Sequence, residues 1–337
     1  MALSRRAGWP LGEARALQGC GVVLKQLGEP HKAIPRYRRS VEIHHSLGSV
    51  RGEAGGLNNL ASAYLILARL ERAEECLRAS LPLTRESGDR HLQTLTLVNL
   101  ALVRKRQARF PEALESLHEA LALAEADGLR YAEAVTYETF GSVHCDAGHY
   151  ERAIDVFGRS LAIAMEVENR RCQIASLIGM AGAELEFGSV ESALARLDSA
   201  LELAEDTGID LDEVLLGRAE FLYRQGRYAD ARDEADRSLK LALTSNLLNV
   251  PRLHGLLAAI HLAAGDGEQC VDACEQALEH ARRSGQRLDY ARALMTLGHA
   301  VKGSGREESR RLWGQAHALF MVIGAPERFT SAALLGR

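Results

Sequence analysis

The chain holds little that breaks or cross-links a helix. Only 7 prolines and 5% aromatic residues occur among 337 positions, which argues against a β-sandwich with its aromatic strands and frequent turns. No run of 18 or more apolar residues is present, so no membrane-spanning helix is expected. The stretch from Met1 to Trp9 lacks the apolar core of a signal peptide. Charge of one sign is also missing: the net charge is −4, with acids and bases interleaved, and that leaves no basic footprint for nucleic acid. The 6 cysteines, Cys20, Cys76, Cys145, Cys172, Cys270 and Cys274, form no matched C-x2-C pairs. Cys270 and Cys274 fall on one helix face and read as core packing. A reducing cytoplasm is the compartment that fits.

The short motifs of catalysis are absent as well. There is no H-E-x-x-H, no G-x-S-x-G and no G-x-x-x-x-G-K-[ST]. Of the 12 histidines, His254 and His261 read as core residues and His44-His45 as solvated. Glu186 and Glu220 could be imagined as an acid–base pair, but nothing nearby would raise one pKa selectively. The sequence therefore points to binding rather than catalysis, with no cofactor or metal expected.

What is present is a repeat. Alanine, leucine, glutamate and arginine dominate, and all favour helices. An anchor recurs at Ala33, Ala73, Ala113, Ala153, Ala193, Ala231, Cys270 and Ser309, spaced by 38 to 40 residues. Twelve residues earlier (eleven in the last copy) stand Gly21, Ala61, Ala101, Gly141, Ala181, Ala219, Ala258 and Gly298. Seven residues later stand Ser40, Ser80, Ala120, Ser160, Ala200, Ser238, Ala277 and Ala316. Small residues at three fixed offsets mark places where two helix backbones approach closely. Bulky residues such as Leu57, Leu97, Tyr137, Leu77 and Phe157 fill the spaces beside them. Each unit reads as two antiparallel helices, with glycines such as Gly28, Gly148, Gly226 and Gly265 where a helix stops.

This pattern resembles the tetratricopeptide repeat, in a form whose period exceeds the usual length of about 34 residues. The closing proline of the usual repeat is absent, and the second helix runs on. The long form is similar to kinesin light chains, bacterial peptide-receptor regulators and the C-terminal arms of signal-transduction ATPases. The expected fold is an all-α superhelix, a tetratricopeptide solenoid. Its eight repeats fall near 11–50, 51–90, 91–130, 131–170, 171–210, 211–249, 250–287 and 288–328, with a C-terminal cap at 329–337. Residues 1–10 match the tail of a preceding repeat helix, or form an N-terminal cap; the first alternative implies a fragment of a longer protein. The segment from Phe320 to Glu327 resembles the close of actinobacterial antibiotic-regulatory and related ATPase transcription regulators. In those families a DNA-binding domain and an ATPase switch precede the repeats.

The resemblance places the first helix of each repeat on a concave groove. Inner-face candidates are Asn58, Asn59 and Ser62 in the second repeat, Asn99, Lys105 and Arg106 in the third, Glu138 and Ser142 in the fourth, and Tyr223 in the sixth. Asn59 and Asn99 are equivalent, and asparagines at this place grip the backbone of an extended peptide in the resembling proteins; an amide can both donate and accept. Lys105 and Arg106 suit an acidic group. A full carboxylate clamp is lacking, because Leu95 stands where a lysine would be needed. The alternative is that these asparagines bond neighbouring helices. The later repeats present small and apolar residues, Gly179, Gly182 and Leu256 among them, which would either admit a ligand closely or be closed off by the curvature of the solenoid. Three roles remain open: the sensor and interaction arm of a multidomain transcriptional regulator, a free-standing adaptor or cytosolic peptide receptor, and a self-assembling structural solenoid.

Overall fold

In the computed structural model, residues 8–303 and 305–336 are described, and among them no strand occurs. Among the described residues, seventeen α-helices follow one another. The first pair is α1 (Pro10–Gln26) and α2 (Pro30–Ser46), followed by α3 (Val50–Ile66) with α4 (Leu70–Ser87), α5 (Arg90–Arg106) with α6 (Phe110–Ala126), and α7 (Arg130–Asp146) with α8 (Tyr150–Glu166). The remaining pairs are α9 (Arg170–Leu185) with α10 (Val190–Thr207), α11 (Leu211–Arg224) with α12 (Tyr228–Ser245), α13 (Val250–Ala264) with α14 (Gly267–Ser284), and α15 (Arg287–Ala300) with α16 (Arg306–Ile323). A short α17 (Glu327–Leu335) closes the array, starting before the cap expected at 329. The expectation for residues 1–10 falls outside the described residues over positions 1–7.

The small positions explain the stacking. Every alanine, serine and cysteine of the three recurring sets is 0% exposed, from Ala33 and Ser40 to Ser309 and Ala316. The glycines of the first set each carry an aromatic ring. A Cβ on Gly21 would lie 2.5 Å from Tyr37, one on Gly141 2.6 Å from Phe157, and one on Gly298 2.5 Å from Trp313. Where the later helix offers leucine instead, at Leu77, Leu117 and Leu197, the earlier position is Ala61, Ala101 and Ala181. The pair keeps its volume by exchanging a methyl group for a ring. The serines of the third set do more than stay small. Ser40, Ser80, Ser160 and Ser238 donate to the carbonyls of Ala14, Ala54, Ala134 and Asp212 at 2.8, 3.0, 2.9 and 2.6 Å. Each pins the second helix of a pair to the first.

Not every turn uses glycine. Ala68, Ala108 and Glu168 adopt left-handed φ of 53°, 58° and 54°, conformations that cost an L-residue energy and that the repeat imposes. Gly148 differs. Its φ is +79°, and a Cβ there would approach Pro326 to 3.0 Å, so glycine serves both the turn and a contact with the far end of the chain.

That contact belongs to a wider closure. Leu248, in the 3-10 turn Leu247–Asn249, is buried in one cluster with Leu60, Tyr64, Leu65, Leu100 and Val103. Arg106 Nη2 donates to Asn249 Oδ1 at 3.3 Å across 143 residues of sequence. One apolar cluster unites Phe110 and Phe140 with Leu288 and Phe320. The superhelix therefore comes round far enough for its later pairs to rest on its earlier ones. Leu247–Ala264 reaches a mean hydropathy of 1.2 over 18 residues. Its apolar side chains are used inside the fold, since 56% of the stretch is buried and Leu253, Leu257 and Ile260 lie in a core cluster.

Candidate functional site

The first helices of several pairs contribute charged side chains to the inner side of the curve, and closure draws charges from distant repeats together. Lys105 Nζ lies 3.3 Å from Asp146 Oδ2 and also donates to Ser142. Arg252 grips Glu220 with two bonds of 2.6 and 2.7 Å, a bidentate pairing that orients the guanidinium. Arg292 reaches Glu327 at 2.6 Å and Arg171 reaches Asp210 at 2.9 Å. The side chain of Arg252 is 43% exposed, yet its charge acts on Asp146 of α7 and Asp289 of α15. A residue open to water that faces carboxylates from several repeats lines a solvated channel.

The channel perturbs its acids. Burial pushes the Glu138 carboxyl up to about 7, against the pull of Lys105 and with the help of Glu213 across the curve. Burial likewise raises Asp210 to about 7 and Asp212 to about 6, each reinforced by Glu213. Asp146 moves the other way: burial would raise it, but Lys105, Arg292 and Arg252 together hold it below the usual carboxylate range. Arrays of cations and shifted acids of this kind can orient a polar ligand. Among the described residues, no three His, Cys, Asp or Glu side chains gather as metal ligands.

The sequence-derived candidates are distributed as follows. Asn99 Nδ2 donates to Asn58 Oδ1 at 3.0 Å, so this asparagine pair joins adjacent repeats. Asn59 is half-buried and has no hydrogen-bond partner among the described residues. Ser62 accepts from Lys25 Nζ at 2.9 Å, and Ser142 accepts from Lys105 in the same way two repeats later. Arg106 is held by Asn249. Glu138 Oε2 accepts from Thr139 Oγ1 at 3.3 Å. Tyr223 stacks at a tilt on Tyr228 with ring centres 5.9 Å apart. Two residues named as small groove positions are accounted for by packing: a Cβ on Gly179 would strike Phe157 at 2.2 Å, and Leu256 is buried in a core cluster. Gly182 faces open space.

Arg171, Arg252, Asp289, Arg292 and Asn249 were not singled out from sequence. For two of them a signal was available. Leu95 precedes its anchor Ala113 by 18 residues, Arg252 precedes Cys270 by 18, and Arg292 precedes Ser309 by 17 in the shortened last repeat. The cation sought at Leu95 stands at the matching place in the last two repeats.

Two clefts lie away from these residues. One of about 280 Å³ runs over the outer side, floored by Leu194, Leu197 and Phe221 and rimmed by Arg218, Glu234 and Arg237. A shallower one of about 480 Å³ sits at the edge, around Arg51, Asp89 and Asp127.

Comparison with known proteins bears on the fold. The tetratricopeptide repeat family model matches residues 53–126 and 131–206. No curated protein matches the sequence. Among solved structures, the Rap conjugation gene regulator of plasmid pLS20, in complex with the Phr* peptide, is similar over 80% of this chain and 73% of its own, with TM-score 0.68 and 14% identity. A Rap protein complexed with Competence and Sporulation Factor is similar over 97% of this chain and 96% of its own, with TM-score 0.61 and 15% identity. A signal transduction ATPase with numerous domains and a tetratricopeptide repeat sensor, from Pyrococcus horikoshii, matches 91% of this chain with TM-score 0.53 and 15% identity. The present chain spans 47% of the length of that protein. At these identities the likeness concerns the fold. The chain carries tetratricopeptide repeats, wound into an all-α solenoid.

Proposed function

We propose that the chain is a non-catalytic binding module that takes an extended peptide, or an extended segment of a partner protein, in its inner channel. The observation that carries this reading is the convergence of Lys105, Glu138, Asp146, Glu220, Arg252 and Arg292, from five different repeats, on one solvated space. Such a surface offers alternating donors and acceptors along a curved path, which suits a backbone better than a compact metabolite. Asn59, with its free amide, and Tyr223 supply a backbone grip and an aromatic wall. Asn58, Ser62, Asn99 and Ser142 set the spacing of the helices that present them. One Rap structure holds the Phr* peptide and the other Competence and Sporulation Factor, which favours a peptide as occupant. The repeats of the Pyrococcus horikoshii protein are described as a sensor, which favours service as the sensing arm of a larger cytoplasmic regulator with an ATPase switch and a DNA-binding domain. In that setting a ligand acts only through its differential affinity for two arrangements of the switch.

The test begins with selection of peptides from a displayed random library on the immobilised chain, followed by calorimetric titration of the recovered sequences. Asn59→Ala and Tyr223→Ala should weaken binding by about tenfold each, the loss of a hydrogen bond or an aromatic contact at an interface. Recovered peptides whose affinity ignores both substitutions would refute the assignment of the channel.

A further inference from the structure

Arg106 stands apart from the other arginines of the inner face. Arg171, Arg224, Arg252 and Arg292 each hold a carboxylate, namely Asp210, Glu186, Glu220 and Glu327. Among the described residues Arg106 has no carboxylate within ion-pair distance. It makes one bond of 3.3 Å to the neutral amide oxygen of Asn249, and its Nε is buried without an acceptor. A buried guanidinium N–H left unpaired loses its hydration and gains nothing in return.

Asn249 is 4% exposed and is bonded on both sides. Its amide nitrogen donates to Asp212 Oδ2 at 3.4 Å and to Glu213 Oε1 at 3.3 Å, while its oxygen takes Arg106. It thus links α5 to α11 across the curve, at the turn that also seats Leu248 among the side chains of α3 and α5. All three bonds of the link are long, and each has only one charged partner. A carboxylate reaching Nε and Nη2 together would form a bidentate, charge-assisted pair, which is stronger than one amide contact.

We propose that Arg106 and Asn249 form a latch, in which Asn249 occupies an anion receptor that a carboxylate group of the channel ligand takes over, releasing the Leu247–Asn249 turn and loosening the closure of the solenoid. The ligand is then an acidic peptide, and its binding competes with closure. This rests on the channel-binding reading and adds its charge and its structural consequence. Asp146 and Asp289 also face Arg106. Asp146 is engaged by Lys105. Burial raises the carboxyl of Asp289, and among the described residues it makes no ion pair with Arg106.

Two variants separate the parts of the latch. Asn249→Ala removes the occupant and keeps the receptor. Arg106→Gln can still donate to Asn249 but cannot form the charged fork. Circular dichroism checks that both keep their helices. Hydrogen exchange at Leu247–Val250 and the radius of gyration from small-angle scattering report closure; a decaglutamate peptide, with decalysine as control, reports the receptor. In Asn249→Ala the turn should exchange about tenfold faster, the radius should rise, and decaglutamate should bind about tenfold more tightly than to the parent. Arg106→Gln should keep parental exchange and lose decaglutamate. Unchanged exchange in Asn249→Ala overturns the latch. Equal decaglutamate affinity in the parent and Asn249→Ala, or no decaglutamate binding by any of the three proteins, overturns the carboxylate receptor. If library peptides bind while decaglutamate does not, the channel reading stands and this proposal alone falls. If the variants behave as a latch but no library peptide binds, the channel reading fails instead.

Discussion

The seam between the two helices of a pair and the channel inside the curve obey different rules. In the seam, small residues meet rings or leucines with no room to spare: Gly21 lies under Tyr37, Gly141 under Phe157 and Gly298 under Trp313. In the channel the side chains are charged, partly wet and paired across repeats, as Lys105 is with Asp146 and Arg252 with Glu220. The seam depends on contacts within one repeat and is renewed every 38 to 40 residues. The channel depends on how all the repeats curve. Stability should therefore live in the seam and recognition in the channel.

The sharpest way to break that division is to empty the seam. Phe157→Ala should cost about 3–5 kcal/mol, the range for losing a buried aromatic side chain, read as a drop in the urea midpoint at constant slope. Next comes overfilling. Gly141→Ala should cost about 1–3 kcal/mol by forcing a methyl group against the Phe157 ring. Adding Phe157→Leu should return much of the loss, because the pair then matches Ala61 with Leu77; a double-mutant cycle without that coupling would contradict the volume exchange. Smaller again is Ser80→Ala, which deletes the bond to the Ala54 carbonyl and should cost about 1 kcal/mol. Alanine already stands at that place in four repeats, at Ala120, Ala200, Ala277 and Ala316.

Two expectations concern the channel. Glu138 and Asp210 are raised to about 7 and Asp212 to about 6, chiefly by burial, so the folded state binds more protons than the unfolded chain between the ordinary carboxylate range and about pH 7. Their contribution to stability is present at the acid end of that window and is lost as the pH rises through it. Glu138→Gln should flatten this decline in urea midpoints taken at successive pH values. The least change in stability is expected for Arg252→Ala, whose partly exposed ion pair is worth about 0–1 kcal/mol; its urea midpoint should barely move while peptide affinity falls.

The same division explains what the sequence revealed. The recurring alanines, glycines and serines could be read directly, since close helix contact inside a repeat leaves few acceptable residues. For Gly179 the sequence left open a groove position or closure by curvature, because its ring partner, Phe157, belongs to the previous pair. The asparagines were half legible: their inner-face place followed from the repeat, but the bond from Asn99 to Asn58 depends on the spacing of neighbouring repeats. Asn249 could not be found at all. It stands in a turn without counterpart elsewhere in the array, and its partner Arg106 is 143 residues away. Contacts made by the closure of a superhelix leave no local periodicity to read.

One measurement bears most directly on the channel as the working surface: hydrogen exchange of the whole chain with and without a peptide recovered from the displayed library. Protection should gather on the inner halves of α3, α5, α7 and α11, around Asn59, Arg106, Glu138 and Tyr223, and leave the outer cleft of Leu194 and Arg218 unchanged. Protection confined to that outer cleft, with the inner helices unaffected, would contradict the account.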